Sequence, residues 1–238
     1  MNAEAVVRAE GLGKVYRSGE VEVAALRSAT FTLPRGAFAA FVGPSGSGKT
    51  TLLNLIGCLD RPSTGRLEVL GQEVGGLSRA RAAAFRGRHI GFVFQDFNLI
   101  PVLSAAENIE YPLLMVQSWP AAKRRARVAE LLAAVGMAEQ ADKRPDQLSG
   151  GQKQRVAVAR ALATGAELVL ADEPTANLDG ETARRVIALM RHMRDTAGVT
   201  FLFSTHDPRV IGAADRLYRM EDGAVREEQP AAGEDAHV

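Results

Sequence analysis

Hydrophobic and polar positions follow three patterns in turn along the chain. Over the first 35 residues, short apolar runs alternate with glycine and charge: Val6-Val7-Arg8-Ala9, Val21-Glu22-Val23 and Thr30-Phe31-Thr32-Leu33. This alternation predicts half-exposed antiparallel strands, an N-terminal β subdomain. Ala37 to Val42 is an unbroken apolar run, as in a strand buried on both faces; a glycine-rich loop follows, then Lys49 to Leu59, apolar enough for a buried helix. Two more continuous runs, Leu168 to Ala171 and Val199 to Phe203, flank Glu181 to Thr196, where arginines alternate with Val186, Ile187, Leu189 and Met190. Strands alternating with helices predict an α/β fold with a mostly parallel sheet.

Between Gln95 and Thr164 the pattern is mostly helical. Ser104 with Glu107 forms a capping-box pattern, Pro120 suits a first helical turn, and Gly136 and Gly165 suit C-terminal stops. Arg216 to Met220, Asp222-Gly223 and Ala224 to Arg226 read as a hairpin with a tight turn. The chain thus reads as one domain, residues 1–238. A core of 1–95 and 165–226 carries a helical insert at 96–164, and a polar, frayed tail follows at 227–238.

Composition narrows the function. With 29 Lys+Arg against 28 Asp+Glu the net charge is +1, which removes a global electrostatic argument for nucleic acid or acidic lipid. The 46% of hydrophobic residues suffices for a sizeable core and excludes a disordered chain. The single cysteine, Cys58, allows no intrachain disulfide, which favours a reducing compartment and a small buried thiol. The N-terminus does not read as a secretory signal, and no apolar run approaches the ~18 to 20 residues of a membrane helix.

Gly43-Pro44-Ser45-Gly46-Ser47-Gly48-Lys49-Thr50 matches G-x-x-x-x-G-K-[ST] in full, between a buried strand and a helix. Glycines let backbone N–H groups turn inward around phosphate oxygens, and the helix N-terminus adds partial positive charge. The pattern assigns Lys49 to the β and γ phosphates of a nucleoside triphosphate and Thr50 to Mg²⁺. Asp172 and Glu173 end a buried strand, and parallel sheets gather such ends on one edge. Asp172 is placed to hold Mg²⁺, and Glu173 to orient and polarise the attacking water. His206 follows the third buried strand and is expected on the same edge, in contact with the γ-phosphate and Glu173.

Leu148-Ser149-Gly150-Gly151-Gln152 resembles the signature of ABC-type ATPases, and the other motifs occur in that family's order. The resemblance covers about residues 5–226. It implies a P-loop NTPase core of RecA-like type and an ATPase that binds ATP and Mg²⁺. Tyr16 fits the aromatic that stacks on adenine, Gln95 the Q-loop glutamine that joins Thr50 and Asp172 at Mg²⁺, and Asp172 with Glu173 the Walker B pair. Asn177-Leu178-Asp179 fits the D-loop and His206 the switch histidine, while Thr51 joins the phosphate loop's ATP contacts. Ser149, taken alone, reads as a helix cap. In the family, Ser149, Gly150, Gly151 and Gln152 act on the ATP of a second subunit, which implies a head-to-tail homodimer around two ATP molecules.

Gly57 to Gly65, Gly91 to Pro101 and Glu107-Asn108-Ile109 look like the ATPases of lipoprotein-releasing and macrolide-exporter type systems. The expectation is an ATP-hydrolysing motor on the cytoplasmic face of a membrane, driving a separate transmembrane permease. An importer or cell-division type ATPase is the alternative. Lys153 and Gly180 depart from the family's usual residues, and Gly180 puts the D-loop geometry in doubt. The apolar stretches Phe97 to Leu103 and Tyr111 to Val116 read either as the insert's own core or as a groove for a permease helix. The basic clusters Arg79, Arg81, Arg86, Arg88 and Lys123, Arg124, Arg125, Arg127 read as solvated helix faces. An ABC-type ATPase acting on nucleic acid or ribosomes typically carries long coiled coils, zinc-binding cysteines or two ATPase units, none of which the sequence contains. A small-molecule kinase would leave Leu148 to Gln152 without a role.

Overall fold

The computed structural model describes residues 4–19 and 21–228. Its strands, in chain order, are β1 (Ala5–Ser18), β2 (Val21–Pro34), β3 (Phe38–Val42), β4 (Thr64–Val69), β5 (Gln72–Glu73), β6 (Ile90–Phe94), β7 (Leu168–Asp172), β8 (Thr200–Ser204), β9 (Arg216–Glu221) and β10 (Ala224–Glu228). The helices are α1 (Lys49–Ile56), α2 (Arg79–His89), α3 (Ala105–Pro112), α4 (Ala121–Ala134), α5 (Gly150–Leu162), α6 (Gly180–Ala197) and α7 (Pro208–Ala213). An antiparallel sheet has the order β2-β1-β4-β5, and a six-stranded sheet the order β10-β9-β3-β8-β7-β6. From β9 to β6 every pairing is parallel; only the β9–β10 hairpin at one edge is antiparallel.

Side-chain alternation along β3 separates two cores. Phe38, Ala40 and Val42 face the helices α3 to α7, together with Val169, Ala171, Phe201 and Phe203. Ala39 and Phe41 face α1 and the antiparallel sheet, together with Leu168, Leu170, Leu202 and Tyr218. A strand that serves two cores must be apolar at every position, and all five residues of β3 are buried. Each buried phenylalanine here contributes roughly 1.5–3 kcal/mol. Tyr218 is satisfied by donating its hydroxyl to Thr32 O at 2.7 Å, and burial pushes its pKa up to about 12. Cys58 is buried, and burial pushes its thiol up to about 11.

Four local expectations are corrected. The three short N-terminal pieces belong to two 14-residue strands, because register shifts between Ala9 and Lys14, with Gly11 at φ 56°, interrupt the period-two pattern of β1. The helix from Lys49 ends at Ile56, and Cys58 takes a left-handed φ of 55°. Pro120 stands just before α4 as its N-cap. Glu227 and Glu228 extend β10, pairing with Tyr218 and Leu217 and forming ion pairs with Arg216 and Arg219, so the hairpin runs two residues into the segment expected to fray. Residues 229–238 of that segment lie outside the described residues.

The segment between β6 and β7 is helical. The capping box at α3 forms, with Ser104 Oγ accepting from Glu107 N and Glu107 Oε2 from Ser104 N. After α3 comes a π-helical turn, Leu113–Gln117, closed by Ser118 at φ 50°. Ile109 and Leu113 are buried, whereas Val102, Tyr111, Leu114 and Met115 are exposed. The apolar stretches therefore divide, part core and part surface.

Candidate nucleotide site

Strand register places the site. Phe41, Ser204, Asp172 and Phe94 are consecutive partners across β3, β8, β7 and β6. The residues that follow them in the chain, including Thr205, Glu173 and Gln95, leave the sheet side by side at its C-terminal edge. Glu173 N still donates to Ser204 O at 2.8 Å and Thr205 N to Phe41 O at 3.1 Å.

The phosphate loop runs from Gly43 to α1, which opens after Gly48 at φ 100°. Glycine is required at both ends of the loop. An ideal Cβ on Gly43 would lie 2.2 Å from Met220 O, and one on Gly48 2.5 Å from Ala25 O. Lys49 is buried at 9% exposure and donates to Gly43 O at 2.7 Å and Pro44 O at 2.9 Å. Its ammonium is thus held over the mouth of the loop. Ser47 Oγ is buried and has no hydrogen-bond partner among the described residues, an unspent polar group inside a phosphate-type loop.

Beside the loop, Thr50 Oγ1 donates to Asp172 Oδ2 at 3.1 Å. Glu173 adopts a left-handed φ of 45°, and both of its carboxylate oxygens are engaged. Oε1 lies 2.7 Å from His206 Nδ1, and Oε2 accepts from Thr205 Oγ1 at 3.0 Å. The sequence-predicted pairs Thr50–Asp172 and Glu173–His206 are therefore in contact. His206 is exposed, and among the described residues its ring nitrogen Nε2 makes no hydrogen bond.

Other predicted residues make no hydrogen bond to Lys49, Thr50, Asp172, Glu173 or His206 among the described residues. Tyr16 is 41% exposed, and its hydroxyl donates to Asp60 Oδ2 at 3.0 Å. Burial alone would raise the Asp60 pKa, but the Lys14 ammonium at 2.7 Å, the Arg61 N–H and the Tyr16 hydroxyl outweigh it and hold the carboxyl below its usual value. Gln95 is exposed, and its carbonyl accepts from Asn177 Nδ2 at 3.1 Å. Ser149 is the N-cap of α5 in a reciprocal capping box with Gln152. An ideal Cβ on Gly151 would lie 2.2 Å from Thr182 Cγ2, so this helix start packs closely against Thr182, whereas one on Gly150 would make only ordinary contact, 3.5 Å from Asn177 O. Asp179 caps α6 by accepting from Glu181 N and Thr182 N. Gly180 therefore begins a regular helix despite its departure from the family pattern.

Sequence reasoning missed several residues that hold the site. Thr205 and Thr175 are fully buried, and Asp207 nearly so. Asp207 binds the Arg209 guanidinium at 2.6 Å and accepts from Thr175 Oγ1. Chiefly the Arg209 contact, with help from Thr175 against the cost of burial, holds the Asp207 carboxyl down to about 2. The only sequence signal was their position, within one to two residues of Glu173 and His206.

Residues 26–176 match the ABC transporter family. The lipoprotein-releasing system ATP-binding protein LolD of Chromohalobacter salexigens is 44% identical over 227 residues, covering 95% of this chain and 95% of that protein. The macrolide export ATP-binding/permease protein MacB of Syntrophobacter fumaroxidans is 44% identical over 230 residues; this chain spans only 32% of its length. A methionine import ATP-binding protein, MetN of Nocardia farcinica, is 47% identical over 228 residues, 95% of this chain and 68% of that protein. A solved ATP-binding cassette, a dimer in a post-hydrolysis state bound to ADP and Pi, superposes with a TM-score of 0.86 at 39% identity, covering 95% of this chain and all of that one. The chain belongs to the ABC transporter family and is an ATP-binding, ATP-hydrolysing subunit of the group that resembles the lipoprotein-releasing and macrolide-export ATPases.

Proposed function

We propose that two copies of this chain close head to tail around two ATP molecules and drive a separate membrane permease of lipoprotein-release or macrolide-export type, from the cytoplasmic face of a membrane. The observation that carries this reading is the convergence of the Lys49 loop, Thr50, Asp172, Glu173 and His206 at one sheet edge. Among the described residues no hydrogen bond joins the Ser149 helix end to that loop, so this second anion-binding end is free to serve a partner's nucleotide. The dimeric state of the solved cassette supports the same arrangement.

Within each site, Lys49 and the loop amides bind the phosphates, Tyr16 stacks on adenine, and Ser149 to Gln152 of the second subunit complete the anion site. Glu173, fixed by Thr205 and His206, orients the attacking water and draws off its proton, while His206 contacts the γ-phosphate. The hydroxyl of Thr50 beside the carboxylate of Asp172 is a pair of hard oxygen donors that fits Mg²⁺, with Gln95 as a further ligand. Bound there, Mg²⁺ supplies charge neutralisation on the phosphate oxygens. ATP binding favours the closed dimer, hydrolysis removes the contacts that bridge it, and this differential affinity is the source of work.

No helix among the described residues is long and apolar enough to cross a membrane. The exposed apolar side chains Val102, Tyr111, Leu114 and Met115 are the docking surface for the permease. The likeness to a methionine import protein supports a second reading, an importer ATPase. Tagged chain purified from solubilised membranes of its own cell tests both. A permease should co-purify, and Leu114→Asp with Met115→Asp should abolish its retention while leaving basal ATPase activity intact. A co-purifying permease paired with an external solute-binding protein favours import. Retention unchanged by the double substitution removes the docking surface.

A further inference from the structure

The turn after Gln95 is strained, and one arginine holds it. Phe97 and Asn98 have φ 61° and 47°, two successive non-glycine residues in the left-handed region. Such a pair is strained, less so at asparagine, and persists only where its surroundings enforce it. The turn's own backbone bonds are Phe97 N to Phe94 O at 3.1 Å and Asn98 N to Asp96 O at 2.6 Å. Both carbonyls of the strained pair accept from the Arg160 guanidinium, Phe97 O from Nη2 at 2.9 Å and Asn98 O from Nη1.

Arg160 lies on α5, the helix that Ser149 caps. It is half-buried, burial lowers its pKa, and no carboxylate pairs with it among the described residues. Its charge is thus spent on the two turn carbonyls. The Phe97 ring meanwhile points toward the other end of the same helix, where an ideal Cβ on Gly150 would lie 3.8 Å from Phe97 Cζ. The turn is therefore held near the last turn of α5 by its carbonyls, with its ring close to the first. On the other side, Asn177 Nδ2 bonds Gln95 O and Asp96 Oδ1, both at 3.1 Å.

We infer that Arg160 is a positioning residue for Gln95: its guanidinium fixes the strained 97–98 turn against the signature helix α5, and with it the backbone from which the Gln95 side chain projects. This rests on the reading of Gln95 and Ser149 in the preceding section. A fork of donors is needed to span two carbonyls, which a lysine ammonium does not reproduce. Nucleotide binding by the Lys49 loop does not depend on the clamp, but turnover does.

Steady-state ATPase measurements on the full chain test this, with Arg160→Met, Arg160→Lys, Asn98→Pro and Gln95→Ala compared by kcat, KM and melting temperature. Proline fixes φ near −65° and so forbids the turn from an exposed position, independently of any folding defect in the Arg160 variants. Arg160→Met and Asn98→Pro should each lower kcat by about tenfold or more with KM for ATP within about twofold, as misplacing a positioned group does. Arg160→Lys should fall between Arg160→Met and the parent. The double variant Arg160→Met/Asn98→Pro should be no slower than the slower single, because both act on one turn. Unchanged kcat, a matching rise in KM, or multiplicative losses in the double variant would overturn the inference. An unaffected Gln95→Ala instead removes the underlying reading of Gln95, and with it the role given to Arg160.

Discussion

Thr175 Oγ1 lies 2.5 Å from Asp207 Oδ2, and both side chains are buried. This bond ties the loop after Glu173 to the loop after His206, and Asp207 N closes the link by donating to Thr205 Oγ1 at 3.0 Å. Glu173 and His206, the two side chains proposed to act in catalysis, follow different strands and are thereby held in one hydrogen-bonded unit. Because the Asp207 carboxyl is held down to about 2, it stabilises the fold at pH values above its ordinary ~3.9, and that contribution is lost as pH falls toward 2. The window is worth roughly 2 kcal/mol. Denaturant unfolding at pH 7, 4 and 2.5 should show the parent losing about 1.4 kcal/mol more stability than Asp207→Asn across the lower interval, more than half of that contribution. Parallel pH profiles for the two proteins would show that the carboxylate is not stabilised in this way.

Lys49→Ala removes the one cation held in the phosphate loop, along with its bonds to Gly43 O and Pro44 O. A charge-assisted hydrogen bond is worth about 1.5–3 kcal/mol, so ATP affinity should fall about tenfold or more in isothermal titration. Unchanged affinity would mean that nucleotide binds elsewhere.

Gly43→Ala and Gly46→Ala separate crowding from backbone strain. A Cβ on Gly43 meets the backbone of β9, whereas Gly46, at φ 80°, has nothing within 4 Å. The first should cost about 2 kcal/mol or more, since something must shift, and the second roughly 1 kcal/mol. Thermal melts rank them. The reverse order would contradict the packing of the loop against Met220.

His206→Ala should lower kcat by about a hundredfold with a much smaller loss of ATP affinity, because His206 holds Glu173 and its loss removes only one of the several contacts proposed for the phosphates. Single-turnover hydrolysis with matched binding measurements checks the split. A loss confined to affinity would make His206 a binding residue only.

How far the sequence reveals this molecule depends on the range of the interaction concerned. The phosphate loop is legible because close backbone approach demands glycine at fixed spacing, and Gly43 and Gly48 are crowded by backbone as that demands. The doubly buried strands β3, β7 and β8 are legible because two cores leave no polar position. β1 was harder to read, since its bulges shift the alternating face partway along. The edge strand β6 was hidden within a motif read for its glutamine. The residues that position Glu173 and Gln95 leave no local trace: Thr205, Asp207 and Arg160 act across hydrogen bonds between elements far apart in the chain. Likewise, neither the π-helical turn nor the paired left-handed residues at 97–98 follows from residue type, because Phe97 is a poor choice for positive φ and only its tertiary contacts enforce it.

The central claim is the nucleotide-sandwiched dimer, and Glu173→Gln tests it most directly. The amide keeps the shape of the side chain and its contacts to Thr205 and His206 but cannot take a proton from water. Sedimentation velocity of this variant with and without saturating Mg-ATP should show a monomer without nucleotide, a stable dimer holding two ATP per pair with it, and no turnover. A variant that stays monomeric at saturating Mg-ATP would contradict the account.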